Sequence, residues 1–300
     1  MSTVRIVKAH AYGNDFLLTP HVGPGVSASA LAVRVCHRHE GIGADGLMEY
    51  TLRPGGATMR LWNADGSASE LSGNGLRCLA ALVARDQRLA VGQVVVVDTA
   101  AGEKQLDLLT IDRTRYTFRA AMGAPADLRE ADIDVEGETV HATLLAMGNP
   151  QCVILGPLPS RERFERIGRA LAVHPMFPAG TNVEFAQVEA PDRVRILIWE
   201  RGVGPTTSSG TGSSASAVAA AAHGGAARSV SVMAPGGTQH VEWRDDGVYL
   251  TGWAELVLDG SVLDGVVLDG VVLDEHGTSV RDGRVTDGAR TGAADDADVS

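Results

Sequence analysis

Ser72-Gly-Asn-Gly-Leu-Arg-Cys-Leu-Ala-Ala-Leu-Val-Ala-Arg-Asp86 opens on a serine and two glycines and runs into an Ala/Leu-rich stretch, Leu76 to Leu89, that reads as a helix. The opening recurs 137 positions later, where Ser209-Gly-Thr-Gly212 precedes a second Ala-rich helix, Ser213 to Ala222. Glycines let the backbone approach a ligand closely, and the first N–H groups of a helix point outward unpaired, at the positive end of its dipole. One S-G-x-G is an ordinary helix cap. Two in matching context form an internal repeat of function-bearing loops. Aimed at one small space, paired helix starts hold a carboxylate and stabilise the enediolate-like charge that forms when its α-proton leaves.

Around these stretches lie short β-branched runs such as Val94 to Val97 and alternating ones such as Tyr116-Thr-Phe-Arg119, separated by Gly, Pro and Asp turns. The repeat predicts two similar halves, 1–114 and 115–256, each a set of strands wrapped on a helix, with the two loops facing each other across a cleft. From Val257 the motif Val-Leu-Asp-Gly recurs every five residues through Glu275, and the first part of this segment is a candidate strand for the N-terminal half. Residues 276–300 are rich in Gly, Asp, Thr and Ala with little to bury, which predicts a disordered acidic tail.

A chain of 300 residues, 44% apolar, fits two domains, and with 36 Gly and only 4% aromatics the core must come from Val, Leu, Ile and Ala. The net charge is −11, but residues 257–300 hold nine Asp and one Glu against three Arg, which leaves −4 for the rest. Neither part offers the dense basic face that nucleic acid or an anionic membrane requires. Cys36, Cys78 and Cys152 are odd in number and far apart, which predicts a reducing compartment, the cytosol, and no disulfide framework. Met1 to Lys8 lacks the apolar core of a signal peptide, and no apolar run is long enough to span a membrane. With scattered His residues and neither a P-loop nor a dinucleotide fingerprint, no metal or nucleotide cofactor is expected.

Five further polar clusters fall in loops: Gly13-Asn14-Asp15, Asn63-Ala-Asp-Gly66, Met147-Gly-Asn-Pro150, Gly180-Thr-Asn182 and Glu200-Arg-Gly202. Singly, each Asn reads as a turn residue and Glu200-Arg201 as a surface ion pair. Together they supply amide donors and acceptors, one guanidinium and one carboxylate, the set a zwitterionic amino acid with a second polar end requires.

These residues, with Lys8-Ala-His-Ala-Tyr-Gly-Asn-Asp-Phe16, Arg38-His-Glu-Gly-Ile-Gly-Ala-Asp-Gly46 and Gly73-Asn-Gly-Leu-Arg-Cys78, resemble the diaminopimelate epimerase family over about residues 4 to 258. The resemblance implies an α+β fold of two pseudo-symmetric domains, each a curved, mostly antiparallel sheet around a central helix, with the active site between them. It implies epimerisation of diaminopimelate without pyridoxal phosphate, in lysine and cell-wall precursor synthesis, by a family that tends to dimerise. Asn14, Asn63, Asn149, Asn182, Glu200 and Arg201 match the residues that hold the substrate's amino and carboxylate groups. Gly73, Asn74, Gly210 and Thr211 match the loops whose N–H groups hold the carboxylate at the reacting centre.

The family's two acid–base cysteines are here Ser72 and Ser209. Cys78 is intact beside the first, and Ser208, Ser213, Ser214 and Ser216 surround the second, which fits natural drift toward serine. A thiol titrates near ~8.5 and an alcohol closer to the ~15.7 of water, so a bare Ser/Ser pair is a far weaker base. Glu200 and His39 are the alternative bases, and Gln151 stands where the family commonly shows His. Three readings follow: a family-type epimerase acting at Cα; a one-base isomerase, tautomerase or dehydratase of a specialised pathway; or an amino-acid-binding paralogue without turnover.

Overall fold

In a computed structural model of the chain, the described residues are 3–20, 27–69, 72–263, 272–273 and 279–280. One order of elements occurs twice. The first unit is β1 (Thr3–Ala11), β2 (Asn14–Pro20), α1 (Ala28–Cys36), β3 (Gly46–Arg53), β4 (Gly56–Asn63), β5 (Ala68–Ser69), α2 (Gly73–Asp86), β6 (Val94–Thr99), β7 (Gly102–Asp112) and β8 (Arg115–Gly123). After β9 (Ala126–Val135) come β10 (Glu138–Ala146), β11 (Pro150–Leu155), α3 (Arg161–Ala172), β12 (Asn182–Ala190), β13 (Arg193–Glu200), β14 (Gly204–Thr206), α4 (Gly210–His223), β15 (Ser229–Ala234), β16 (Gly237–Arg244) and β17 (Gly247–Leu263).

The pairing repeats with the order. β2 and β3 are parallel across α1, and β4 and β6 are parallel across α2, while β1–β2, β3–β4, β6–β7 and β7–β8 are antiparallel. In the second unit β11–β12 and β13–β15 are the parallel pairs and the remaining neighbours are antiparallel. The first run is closed by a strand from beyond its own unit. β17 pairs with β8 from Val248 to Glu255 and then with β1 as far as Leu263, so it completes the first barrel. β9, following directly on β8, pairs along β10 and extends the second.

Each barrel is wound on one helix that is buried on every side. In α2 every residue from Asn74 to Ala84 is buried, and in α4 Gly210 and every residue from Gly212 to Ala220. The small side chains of α4 let its strands close tightly, and Val153, Ala186, Ile196, Ile198, Val232 and Leu250 pack around it. Leu79, Leu82, Val95, Leu106, Leu108 and Phe118 do the same for α2. α1 and α3 lie outside the barrels, α3 burying Phe164, Ile167 and Leu171 in a core of its own.

Three sequence expectations change. Both central helices begin one turn earlier than their Ala/Leu stretches, because Ser72 and Ser209 are themselves the N-caps and the glycines form the first turn. The boundary at Thr114 falls inside the β7–β8 hairpin of the first barrel, whose core includes Tyr116 and Phe118, so the chain passes to the second barrel between β8 and β9. The division at 256 is likewise interior to β17, whose Asp259 pairs with Arg5 and Arg85 at 2.7 Å. The tail expected to be disordered, 276–300, lies outside the described residues apart from Ser279–Val280, which pairs with Val272–Leu273.

Candidate active site

The two helix starts are near copies. Ser72 has φ −129° and ψ 121°, Ser209 φ −140° and ψ 129°, and each hydroxyl accepts the N–H of the glycine three residues on, Gly75 or Gly212, at 3.1 Å. The first helical bonds run from Leu76 N to Ser72 O and from Ser213 N to Ser209 O. These caps do not take up the first two amides of each helix, those of Gly73 and Asn74 and of Gly210 and Thr211. The starts meet through Asn74, which is 4% exposed and whose Nδ2 donates to Asn14 Oδ1 at 3.2 Å and to Ser208 O at 3.4 Å. Two positive dipole ends therefore converge on one place, a ready anion site.

Strand register gathers most of the remaining residues. Asn14 opens β2 and Asn63 ends β4, on either side of Gly46, which pairs with Asn63. Asn14 Nδ2 donates to Asp45 at 2.6 Å, and Asp45 and Asp15 are both gripped by Arg38, at 2.7 and 2.8 Å. Burial raises the pKa of Asp15, but Arg38 and Lys8 overcome it and leave Asp15 lower than an ordinary carboxylate. Asn63 is exposed and donates to Ser67 Oγ at 2.9 Å within its own turn. On the other side Asn182 lies beside Gln151 in β11 and at the end of β12 next to Glu200. Its Oδ1 accepts Arg201 N at 2.9 Å, and Gln151 donates to Asn149 at 2.6 Å. The Arg201 guanidinium is turned to Ala179 O at 2.7 Å. His39 is exposed against His37 and joins none of these contacts.

Glu200 is largely buried, and burial raises its pKa, partly offset by a hydrogen bond to Thr206. A carboxylate tuned upward is the right kind of general base for neutral pH. None of the cysteines supplies a readily ionised thiol. Cys78 is fully buried and burial pushes its thiol up to about 12; Cys36 is pushed up to about 12 and Cys152 higher still.

Two residues of the site escaped the sequence reading. Arg77, 2% exposed, donates to Asn74 Oδ1 and lies 5.8 Å from the Tyr12 ring centroid, so a buried guanidinium sets the amide that joins the two halves. Burial lowers its pKa. Glu184 is fully buried beneath α4, and neither of its carboxyl oxygens has a hydrogen-bond partner among the described residues. The signal for Glu184 was its strand periodicity: it alternates inward with Asn182 and Ala186.

This arrangement is the fold of amino-acid racemases, epimerases and related isomerases. A predicted epimerase from Pseudomonas aeruginosa superposes with a TM-score of 0.64 at 15% identity, covering 87% of this chain and 99% of that one. A hydroxyproline epimerase from Agrobacterium vitis, solved with trans-4-OH-L-proline bound, gives 0.61 at 18% identity, covering 87% and 91%. The sequence model described as diaminopimelate epimerase matches residues 6–126 and 143–257. The chain is 42% identical over 278 residues to the diaminopimelate epimerase of Desulforudis audaxviator, covering 86% of this chain and 98% of that protein. It is 39% identical over 277 residues to that of Desulfitobacterium hafniense, covering 86% and 97%. The chain belongs to the diaminopimelate epimerase family. No helix among the described residues is long and apolar enough to cross a membrane.

Proposed function

We propose that this amino-acid epimerase acts, without a cofactor, at Cα of a diaminopimelate-like substrate. The reacting carboxylate sits on the amides of Gly73, Asn74, Gly210 and Thr211. Asn14, Asn63, Asn149, Asn182, Glu200 and Arg201 receive the substrate's amino groups and its distal carboxylate. Ser72 and Ser209 occupy the acid–base positions on opposite faces of Cα. When the α-proton leaves, negative charge spreads onto the carboxylate oxygens, where four amides and two helix dipoles favour it; return of a proton from the other face inverts the centre. The observation that carries this reading is the junction of two matching caps through Asn74 and Ser208. The largely buried Glu200, with its raised pKa, favours a second reading in which it serves as the single base of an isomerase. We place the enzyme in the cytosol, as a homodimer, in lysine and cell-wall precursor synthesis.

Incubation in D₂O with LL-diaminopimelate and a panel of other amino acids, followed by NMR of the α-proton, tests both. Exchange with inversion is expected. Exchange without inversion selects the one-base reading, and absence of exchange with a ligand that demonstrably binds overturns catalysis altogether.

A further inference from the structure

Glu184 stands on the inner face of β12, opposite Val153 of β11 and Ile198 of β13, among side chains that pack on α4. A buried carboxyl with no donor is among the costlier groups a fold can carry, so stability does not account for it. Its Oε1 lies against the first turn of α4. A Cβ built on Gly212 would meet Glu184 Oε1 at 2.6 Å and Ser209 Oγ at 3.2 Å, so the absence of a side chain at 212 lets carboxyl and hydroxyl share one small space. Internal symmetry supplies a control. At the equivalent glycine of the first barrel, Gly75, the side chain met is that of Met48, also fully buried. The same position is thus filled by an apolar tip in one half and a carboxyl in the other, so packing alone does not require the acid.

We propose that Glu184 is the proton-relay partner of Ser209. As Ser209 Oγ takes the α-proton, its own hydroxyl proton passes to a Glu184 carboxylate oxygen. In the opposite direction, Ser209 gives its proton to Cα and Glu184, as the carboxylic acid, restores it. One O–H bond breaks and one forms at Ser209, no alkoxide accumulates, and the electron pair of the C–H bond stays on the substrate as the enediolate. The charge of Glu200 from β13 acts on Glu184, Cys152 of β11 is near enough to feel it, and Ser209 of α4 lies beside it; no cation acts on it among the described residues. Burial, reinforced by the charge of Glu200, raises its pKa well above the ordinary carboxylate value. The Ser72 face, with Met48 in that place, has no such relay. Glu184 is a positioning residue in the sense that it acts through Ser209, and the inference rests on the function proposed above.

Glu184→Gln keeps the shape and removes the proton transfer. We expect kcat to fall by ~10²-fold at unchanged KM, with loss of the limb of the pH–rate profile that Glu184 controls, and Glu184→Asp to recover part of the rate. Glu184→Met, which copies the first barrel, should melt no lower than wild type and be as slow as the Gln variant. Unchanged kcat and pH profile in both variants overturn the relay. A readout that needs no turnover separates this from failure of the functional reading. In Ser209→Cys, the thiolate absorbance of Cys at 209 is titrated with and without Glu184→Gln. A moved midpoint supports the coupling even if no substrate turns over, and an unmoved one refutes it.

Discussion

Replacing Ser72 and Ser209 together by cysteine should raise the rate of Cα proton exchange and lower stability at the same time. Both effects follow from the same two atoms. Each hydroxyl is half-buried at a helix start and accepts one amide at 3.1 Å, so the dipole and free amides that favour a negative atom act equally on oxygen or sulfur. What differs is intrinsic acidity. Even a gap of ~5 pKa units between alcohol and thiol is ~7 kcal/mol, or up to ~10⁵ in rate. Because a relay through Glu184 would spare the serine part of that cost, we expect a gain of ~10³ or more. Sulfur accepts the capping hydrogen bond poorly, and a lost cap costs about 0.5–2 kcal/mol, so the pair should lose ~1–3 kcal/mol against urea. Loss of α-deuterium is followed by NMR. Iodoacetamide should label the two new half-buried thiols and spare the buried Cys36, Cys78 and Cys152. A doubly labelled, folded variant that binds substrate with no gain in exchange would refute the placement of proton transfer at these two positions.

Asn74→Ala removes two amide hydrogen bonds and the acceptor of a buried guanidinium. At ~1 kcal/mol for each neutral bond and ~1.5–3 for the charged one, urea unfolding should show a loss of about 3–5 kcal/mol, with exchange slowed at least tenfold; a loss under ~1 kcal/mol contradicts the junction. Glu184 gives a pH signature. Its folded pKa is raised, so the stability tied to its proton is fully present below the unfolded value of ~4.3 and is lost as pH rises through the folded value. Glu184→Gln should therefore match or exceed wild type at neutral pH, with a gap that closes on acidification at about 1.4 kcal/mol per pH unit; a gap that widens toward acid pH refutes the raised pKa.

The central helices were legible because composition and cap coincide: a serine, glycines, then a run dominated by Ala, Leu and Val. Their first turns were misplaced because glycine suggests a loop, whereas here the Ser72 and Ser209 side chains hold the glycines in the helix. α3 went unread although Phe164, Ile167 and Leu171 stand at helical spacing behind the cap Ser160; six of its twelve residues are charged and obscure the stripe. The family's polar set was readable as short motifs because each lies at a strand or helix end. Glu184 and Arg77 are not at ends, and their importance comes from what surrounds them: a carboxyl that accepts no hydrogen bond among the described residues, and a guanidinium held by an amide and the Tyr12 ring. The closing of the first barrel by β17, a strand from beyond its own unit, is a non-local pairing to which local patterns are blind.

The return of β17 to the first barrel fixes an order of assembly. Thr3 pairs with Leu263, so β1 leaves the ribosome long before the strand that covers its outer edge has been made. At ~5–20 residues per second the delay is on the order of tens of seconds, during which the first barrel is a sheet open between β1 and β8. Open edges of that kind recruit strands from other chains. A chain truncated before β17, or either half expressed alone, would keep the edge permanently, so the two barrels mature together as one folding unit even though each is wound on its own helix.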